Sequence, residues 1–190
     1  MAKIIGISGS PRKENSYYMV ETVLKATEKP FDLFHLKELS IEPCNGCMSC
    51  MENFKCQQKD DMEKIIQKIE NSQIIVFGSP TYFSNVSGLM KNFMDRCCPF
   101  YFSQKLRGKK AIILSVGNLK EELEFDEKGN CKWHKEEIEC VEGCQKAIER
   151  FCGLLGIEII GSVYALHSEP EKKEKELIQL GQKIGDLVKC

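Results

Sequence analysis

Four cysteines with short, regular spacing are the residues of this chain best suited to redox chemistry. They are Cys44, Cys47, Cys50 and Cys56, the first three at every third residue. This spacing favours an iron–sulfur cluster, in which each iron takes one thiolate. Structural zinc also takes four thiolates, but usually from two pairs that a longer stretch separates. The spacing therefore predicts a four-thiolate cage for a four-iron cluster, with zinc or an empty motif as the alternatives.

The remaining cysteines and the histidines carry weaker signals. The other thiols are Cys97, Cys98, Cys131, Cys140, Cys144, Cys152 and Cys190. Cys97 and Cys98 end a predicted helix, where we expect them to pack or to lie near a site entrance. Cys140 and Cys144 share a predicted helix face, and plain packing is favoured there over a second metal site with Cys131. We assign no catalytic role to His35, His134 or His167.

The first predicted strand-to-helix loop is rich in hydrogen-bond donors. Its polar side chains are Ser8, Ser10, Arg12, Asn15 and Ser16. A loop that leads into a helix also presents backbone N–H groups and the positive end of the helix to an anion. The glycine patterns of triphosphate and dinucleotide sites are both absent from it. We therefore predict a site for a terminal phosphate monoester, with a solvated turn capped by Ser and Asn as the alternative.

Two further loops are predicted to lie at the same edge of the sheet. The loop after the third predicted strand carries Pro80, Thr81, Tyr82 and Phe83. Aromatic rings beside small polar groups suit a planar ligand whose edge forms hydrogen bonds, although the aromatics could instead cap the sheet. A third wall is predicted after the fourth strand, from Ser115, Gly117 and Asn118.

The elements that position these loops follow from an alternation of apolar runs and helical periods. The predicted strands are 3–8, 31–36, 73–78, 110–116 and 157–165, and the predicted helices are 16–27, 61–70, 87–97, 136–155 and 171–189. The pattern predicts an α/β fold: a doubly wound, five-stranded parallel sheet with helices on both faces. Its ligand site is expected beyond the carboxyl ends of the strands. We expect a single domain over 1–190, with a cysteine-rich loop at 40–59 and a charged insertion at 119–135.

Composition excludes several classes of function. The chain has 190 residues, 27 basic and 28 acidic, with a net charge of −1. This balance predicts no nucleic-acid partner. No apolar run approaches the roughly 20 residues of a membrane span, and the start does not read as a secretory signal, so we predict no membrane partner and a cytoplasmic location. Eleven cysteines, an odd number, agree with a reducing compartment.

The loop motifs together resemble the flavodoxin-like NAD(P)H-dependent FMN reductase superfamily. The resemblance rests on 8–16 and on 78–96, whose pattern is G-S-P-x-Y-F followed by K-x-F-x-D-R. With the cysteine motif between these blocks, the chain resembles the iron–sulfur flavoprotein family most closely, over residues 3–118. The resemblance implies FMN phosphate at the first loop, the isoalloxazine at Pro80–Phe83, and a 4Fe-4S cluster on the four motif cysteines. Glu14 stands where many relatives have glycine, and we expect it to face solvent.

The resemblance also implies a function and partners. We expect an FMN-dependent electron-transfer flavoprotein that passes electrons between a four-iron cluster and FMN. Its redox partner would be ferredoxin or NAD(P)H, and the assembly a homodimer or homotetramer. One alternative is an NAD(P)H-dependent FMN or quinone reductase without a redox-active cluster. Another is a non-enzymatic flavin-binding protein, stabilised by zinc, that acts as a partner or sensor.

Overall fold

Strands and helices alternate along the chain. The computed structural model describes residues 3–117, 127–128 and 133–188. The strands are β1 (Ile4–Ser8), β2 (Phe31–His35), β3 (Ile74–Tyr82), β4 (Asn85–Val86), β5 (Lys110–Val116) and β6 (Glu158–Ala165). The helices are α1 (Asn15–Ala26), α2 (Cys50–Asn53), α3 (Met62–Asn71), α4 (Gly88–Arg96), α5 (Cys98–Ser103), α6 (His134–Leu154) and α7 (Glu174–Leu187). Short 3-10 turns occupy Leu36–Glu38 and Pro170–Lys173.

The sheet has the strand order β2-β1-β3-β5-β6, and these five strands are all parallel. This is the flavodoxin-type order, in which ligands bind where the strand order reverses beside the first strand. The predicted five-stranded parallel sheet is therefore confirmed. The two-residue strand β4 was not predicted, and it pairs antiparallel with the end of β3. Helices α2 and α5 were not predicted either, because they are too short to show a helical period.

Helices cover both faces of the sheet, as predicted. Buried apolar side chains of α1 and α7 pack on one face, and those of α3, α4, α5 and α6 pack on the other. Close packing of α1 depends on glycine in β3, because a Cβ at Gly78 would lie 2.3 Å from Cγ2 of Val20. This packing sets the position of the N-terminal end of α1, which lies at the carboxyl edge of the sheet.

Two parts of the predicted organisation lie outside the described residues. They are Asn118 and all of the charged insertion except residues 127–128 and 133–135. Within the described part of the chain, no helix has the length and apolar character needed to cross a membrane.

Candidate functional site

A cleft opens at the carboxyl edge of the sheet, between the first loop and the end of β3. Seven of the twelve residues predicted for the planar ligand and its phosphate line it: Ser10, Arg12, Asn15, Ser16, Pro80, Thr81 and Tyr82. The folding of α1 against β3 is what brings these two separate sequence segments together. The first turn of α1 begins at Asn15, so its backbone N–H groups and positive dipole end lie at the cleft.

Backbone and histidine contacts fix the shape of the first loop. The N–H of Gly9 donates to the carbonyl oxygen of Gly78 at 2.8 Å, which ties the loop to β3. Nε2 of the buried His35 lies 2.8 Å from the carbonyl oxygen of Ser10. The Ser10 hydroxyl in turn accepts from the N–H of Arg12 at 3.1 Å. His35 therefore has the structural role that its place in a strand predicted.

The charged pair at the rim of the cleft bears on anion binding. Nε of Arg12 lies 3.1 Å from a carboxylate oxygen of Glu14, and both side chains are more than half exposed. Glu14 faces solvent as expected, and it also lines the cleft. An anion in the cleft would compete with Glu14 for the guanidinium of Arg12.

The second loop is a tight hairpin. Thr81 pairs with Val86 and Tyr82 with Asn85, so the turn consists of Phe83 and Ser84. Both turn residues have left-handed backbones, with φ of 48° and 56°. Positive φ at both central positions is the geometry of a type I′ turn, and two residues other than glycine bear its steric cost here. The turn leaves the Phe83 side chain fully exposed at the rim of the site.

Four predicted residues do not line the cleft: Phe83, on the exposed turn, and Ser8, Ser115 and Gly117. The hydroxyls of Ser8 and Ser115 are fully buried in β1 and β5 and have no hydrogen-bond partner among the described residues. They lie within the sheet. Gly117 follows β5, and a Cβ there would lie 2.4 Å from Oε1 of Glu137. The missing side chain thus leaves room for the buried carboxylate of Glu137.

The loop after β6 completes the cleft, although no role is predicted for it from its residues. Ser168 lines the cleft, its N–H donates to the carbonyl of Gly117 at 3.0 Å, and its own carbonyl accepts from Nδ2 of Asn15 at 3.3 Å. The N–H of His167 donates to Oε1 of Glu137 at 2.8 Å, and Nδ1 of His167 lies 2.7 Å from Oε2. These contacts hold the loop against α1 and β5. The rule that ligands bind at the carboxyl ends of the strands, applied to the last predicted strand, would have indicated it.

The four motif cysteines line one cavity. Left-handed backbones at Gly46, Met48 and Phe54 wind the segment tightly around it. A fifth cysteine, Cys98 from α5, lines the same cavity. Among the described residues, no group of three or more His, Cys, Asp or Glu side chains is arranged to hold a metal ion.

A buried ion pair holds both ends of the cysteine loop. The guanidinium of Arg96, at the end of α4, donates to both carboxylate oxygens of Asp60 at 2.5 and 3.0 Å and to the carbonyl of Glu42 at 2.6 Å. Asp60 also accepts from the N–H groups of Glu42 and Met62 at 3.0 Å. Burial alone would raise the pKa of Asp60, but these donors outweigh it and hold the pKa below its usual value. The guanidinium also contacts the Cys56 thiol.

The other described cysteines lie outside this cavity. Cys97, Cys144 and Cys152 are buried in the core, as plain packing predicts. Burial raises the pKa of Cys144 to about 11 and that of Cys152 to about 12, so both stay protonated thiols near neutral pH. Cys140 accepts from the hydroxyl of Ser84 at 3.2 Å. The predictions on Cys131 and Cys190 lie outside the described residues.

The fold and its edge cleft define a flavodoxin-like α/β protein, and sequence comparison gives its family. The profile of the NADPH-dependent FMN reductase family matches residues 2–126, and the chain belongs to that family. The chain is 39% identical over 97 residues to an iron–sulfur flavoprotein of Archaeoglobus fulgidus, covering 50% of this chain and 48% of that protein. It is 38% identical over 119 residues to an iron–sulfur flavoprotein of Methanocaldococcus jannaschii, covering 60% and 62%. The chain thus spans about half to three fifths of the length of these curated relatives.

Solved structures agree with the fold. An NADH:FMN oxidoreductase in its apo form superposes with a TM-score of 0.66 at 15% identity, covering 97% of this chain and 90% of that one. A flavodoxin from the domain Archaea superposes with a TM-score of 0.60 at 14% identity, covering 97% and 96%. At these identities the likeness establishes the fold alone.

Proposed function

We propose that this chain is an FMN-dependent electron-transfer flavoprotein that passes electrons between a four-iron cluster and FMN. The observation that carries the proposal is the convergence of Cys44, Cys47, Cys50 and Cys56 on one cavity, in a chain of the FMN reductase family. The similarity to proteins named iron–sulfur flavoproteins supports it. Ferredoxin or NAD(P)H would be the redox partner, and the chain would assemble as a homodimer or homotetramer.

The residues of the cleft fit FMN. The start of α1 offers backbone N–H groups to a phosphate, and Ser10, Asn15 and Ser16 add side-chain donors beside it. Thr81 and Tyr82 extend from this anion site along β3 and supply a polar group and an aromatic edge for a planar ring. FMN, when bound, exchanges electrons singly or in pairs. The protein then has only to orient the flavin ring, and no acid–base residue is needed for that task.

The donor atoms that line the cysteine cavity have the chemistry of iron–sulfur cluster ligands, although the described side chains are not arranged around a metal ion in this structure. Cysteine thiolates are the ligands of such clusters, and hydrogen bonds to the sulfurs tune their reduction potential. The guanidinium of Arg96 contacts Cys56 and stays charged, so it supplies one such donor beside that sulfur. The Cys47 pKa is already lowered, by hydrogen bonds from the backbone and side chain of Ser49.

Helix α4 relates the cleft to the cavity. Ser87, which caps its N-terminal end, donates through its hydroxyl to the carbonyl of Gly9 in the first loop at 2.6 Å. Arg96 at the other end lines the cysteine cavity. Arg96 lies nine positions after Ser87, so at 1.5 Å per residue these two residues lie roughly 13 Å apart along the helix axis. A single helix therefore contacts both the first loop and the cysteine loop, which supports a joint role for the two sites.

Metal and flavin analysis of anaerobically purified protein tests the proposal. We expect iron and acid-labile sulfide in equal amounts, near four of each per FMN, with broad absorption beneath the flavin bands. Cys47→Ser should remove iron and sulfide and keep FMN, whereas Cys152→Ala, outside the cavity, should keep all three. Flavin without iron and sulfide would refute the cluster. One zinc per chain without sulfide would favour the zinc-stabilised partner or sensor.

A second candidate is an NAD(P)H-dependent FMN or quinone reductase whose cysteines take no part in turnover. The observation that favours it is the rim of the cleft, where the side chains of Tyr82 and Phe83 are 46% and 102% exposed and available to a second planar ligand. NADPH oxidation with a quinone by iron-free Cys47→Ser, at the rate of the parent protein, would support this function over cluster-dependent transfer.

A further inference from the structure

Cys98 lies 42 residues beyond the last motif cysteine, and it still belongs to the motif's cavity. It is the first residue of α5, and Cys50 is the first residue of α2. The two short helices pack against each other. The Cys98 side chain contacts that of Cys50, and both line the same cavity.

Neighbouring residues separate Cys98 from an ordinary packing cysteine. Cys97 precedes it and is buried in the core outside the cavity. Arg96 and Pro99, on either side of this pair, line the cavity as Cys98 does. The chain thus turns one of two adjacent thiols into the core and the other toward the motif cysteines. Packing in the core would not require Cys98 to face the motif cysteines.

We propose that Cys98 is a reserve ligand of the cysteine site, able to bind iron in place of Cys50. This inference rests on the proposed function, since it presumes a cluster in the cavity. The exchange breaks the iron–sulfur bond of Cys50 and forms one to Cys98. The Cys98 proton passes to the released Cys50 thiolate, so no group changes its oxidation state. When Cys50 is absent, the Cys98 proton goes to solvent.

Five proteins reconstituted anaerobically with ferrous iron and sulfide, with FMN bound, test the proposal. They are the parent, Cys50→Ser, Cys98→Ser, Cys50→Ser/Cys98→Ser and Cys47→Ser. Iron and acid-labile sulfide are counted per FMN, and retained FMN reports an intact fold. We expect Cys50→Ser to keep more than half of the parent's iron. The iron content of the double variant and of Cys47→Ser should each fall at least fivefold below that of the parent. The double variant lacks the reserve ligand, and no reserve thiol can replace Cys47.

Two outcomes separate this inference from the function on which it rests. If the parent holds no iron and sulfide, both fail. If the parent is loaded and Cys50→Ser is as empty as the double variant, the reserve ligand is refuted and the proposed function stands. Loss of the cluster in Cys98→Ser alone would also refute it, because Cys98 would then be an obligatory ligand.

A measurement of thiol reactivity tests the same proposal without counting iron. Iodoacetamide labelling followed by peptide mass analysis reports whether the Cys98 sulfur is free. In the loaded parent Cys98 should react, and in loaded Cys50→Ser it should be protected several-fold, because its sulfur then binds iron. Equal labelling of Cys98 in the two loaded proteins would overturn the proposal.

Discussion

Replacing Asp60 by alanine tests how the fold holds the cysteine loop in place. The Asp60 and Arg96 side chains are 6% and 1% exposed, so the substitution leaves a buried guanidinium without its carboxylate. Arg96 loses two hydrogen bonds and keeps the one to Glu42, and the N–H groups of Glu42 and Met62 lose their acceptor. Breaking a buried pair in this way costs about 3–5 kcal/mol. That is a large part of the roughly 5–15 kcal/mol that stabilises an ordinary domain.

Urea unfolding measures the effect, and a double variant isolates its cause. We expect Asp60→Ala to lower the free energy of unfolding by about 3–5 kcal/mol. Arg96→Met combined with Asp60→Ala should cost less than the sum of the single variants, because no buried charge remains. Glu142→Ala, which removes an exposed helical pair with Lys146, is the matched control and should cost about 0.3–0.5 kcal/mol. An Asp60→Ala cost within about 1 kcal/mol of this control would refute the reasoning.

The same pair predicts a pH dependence. The folded-state pKa of Asp60 lies below its ordinary value, so its contribution to stability is fully present above the unfolded pKa of about 3.9. It is lost as the pH falls through the folded pKa. The parent should therefore lose stability on acidification below about pH 4 more steeply than Asp60→Asn does. Urea midpoints that fall by the same amount for the two proteins as the pH is lowered would contradict this.

Two further predictions concern the cleft and its support. Glu14→Ala should tighten FMN binding about two- to fivefold, because Glu14 competes with the phosphate for the guanidinium of Arg12. Arg12→Ala should weaken FMN binding by a similar factor. Fluorescence titration of flavin-free protein measures this, and equal effects on riboflavin, which has no phosphate, would contradict it. Gly78→Ala should destabilise by about 1–3 kcal/mol through its clash with Val20. Gly153→Ala, in open space on α6, should stabilise the protein by up to about 1 kcal/mol. Shifts of the urea midpoint in the same direction for the two variants would contradict this.

The buried strands could be predicted because continuous apolar runs mark strands that are buried on both faces of a sheet. The strand Lys110–Val116 agrees with its predicted bounds, since its apolar run ends at a glycine. The third strand was predicted to end at Gly78 but continues to Tyr82. Its last residues are held by pairing with β4 through a turn at Phe83 and Ser84. That turn lacks the Asn-Gly type of sequence that marks such hairpins, so no local signal announced it.

The candidate site shows the same division between local pattern and tertiary packing. The spacing of the four motif cysteines is local, and it was enough to predict that they share one site. Cys98 joins them only because α5 packs on α2, and neither short helix has a period that a sequence reveals. Arg96 lies in an amphipathic helix, where arginine is usually exposed. Its burial depends on Asp60, 36 residues earlier, and no spacing rule links the two.

Helix α4 gives the two halves of the candidate site a common support. At its N-terminal end, the Ser87 hydroxyl donates to Gly9 and accepts from the N–H of Met90, so one side chain caps the helix and holds the first loop. At its other end, Arg96 holds the cysteine loop through Asp60. A shift of this helix would therefore move the cleft and the cavity together.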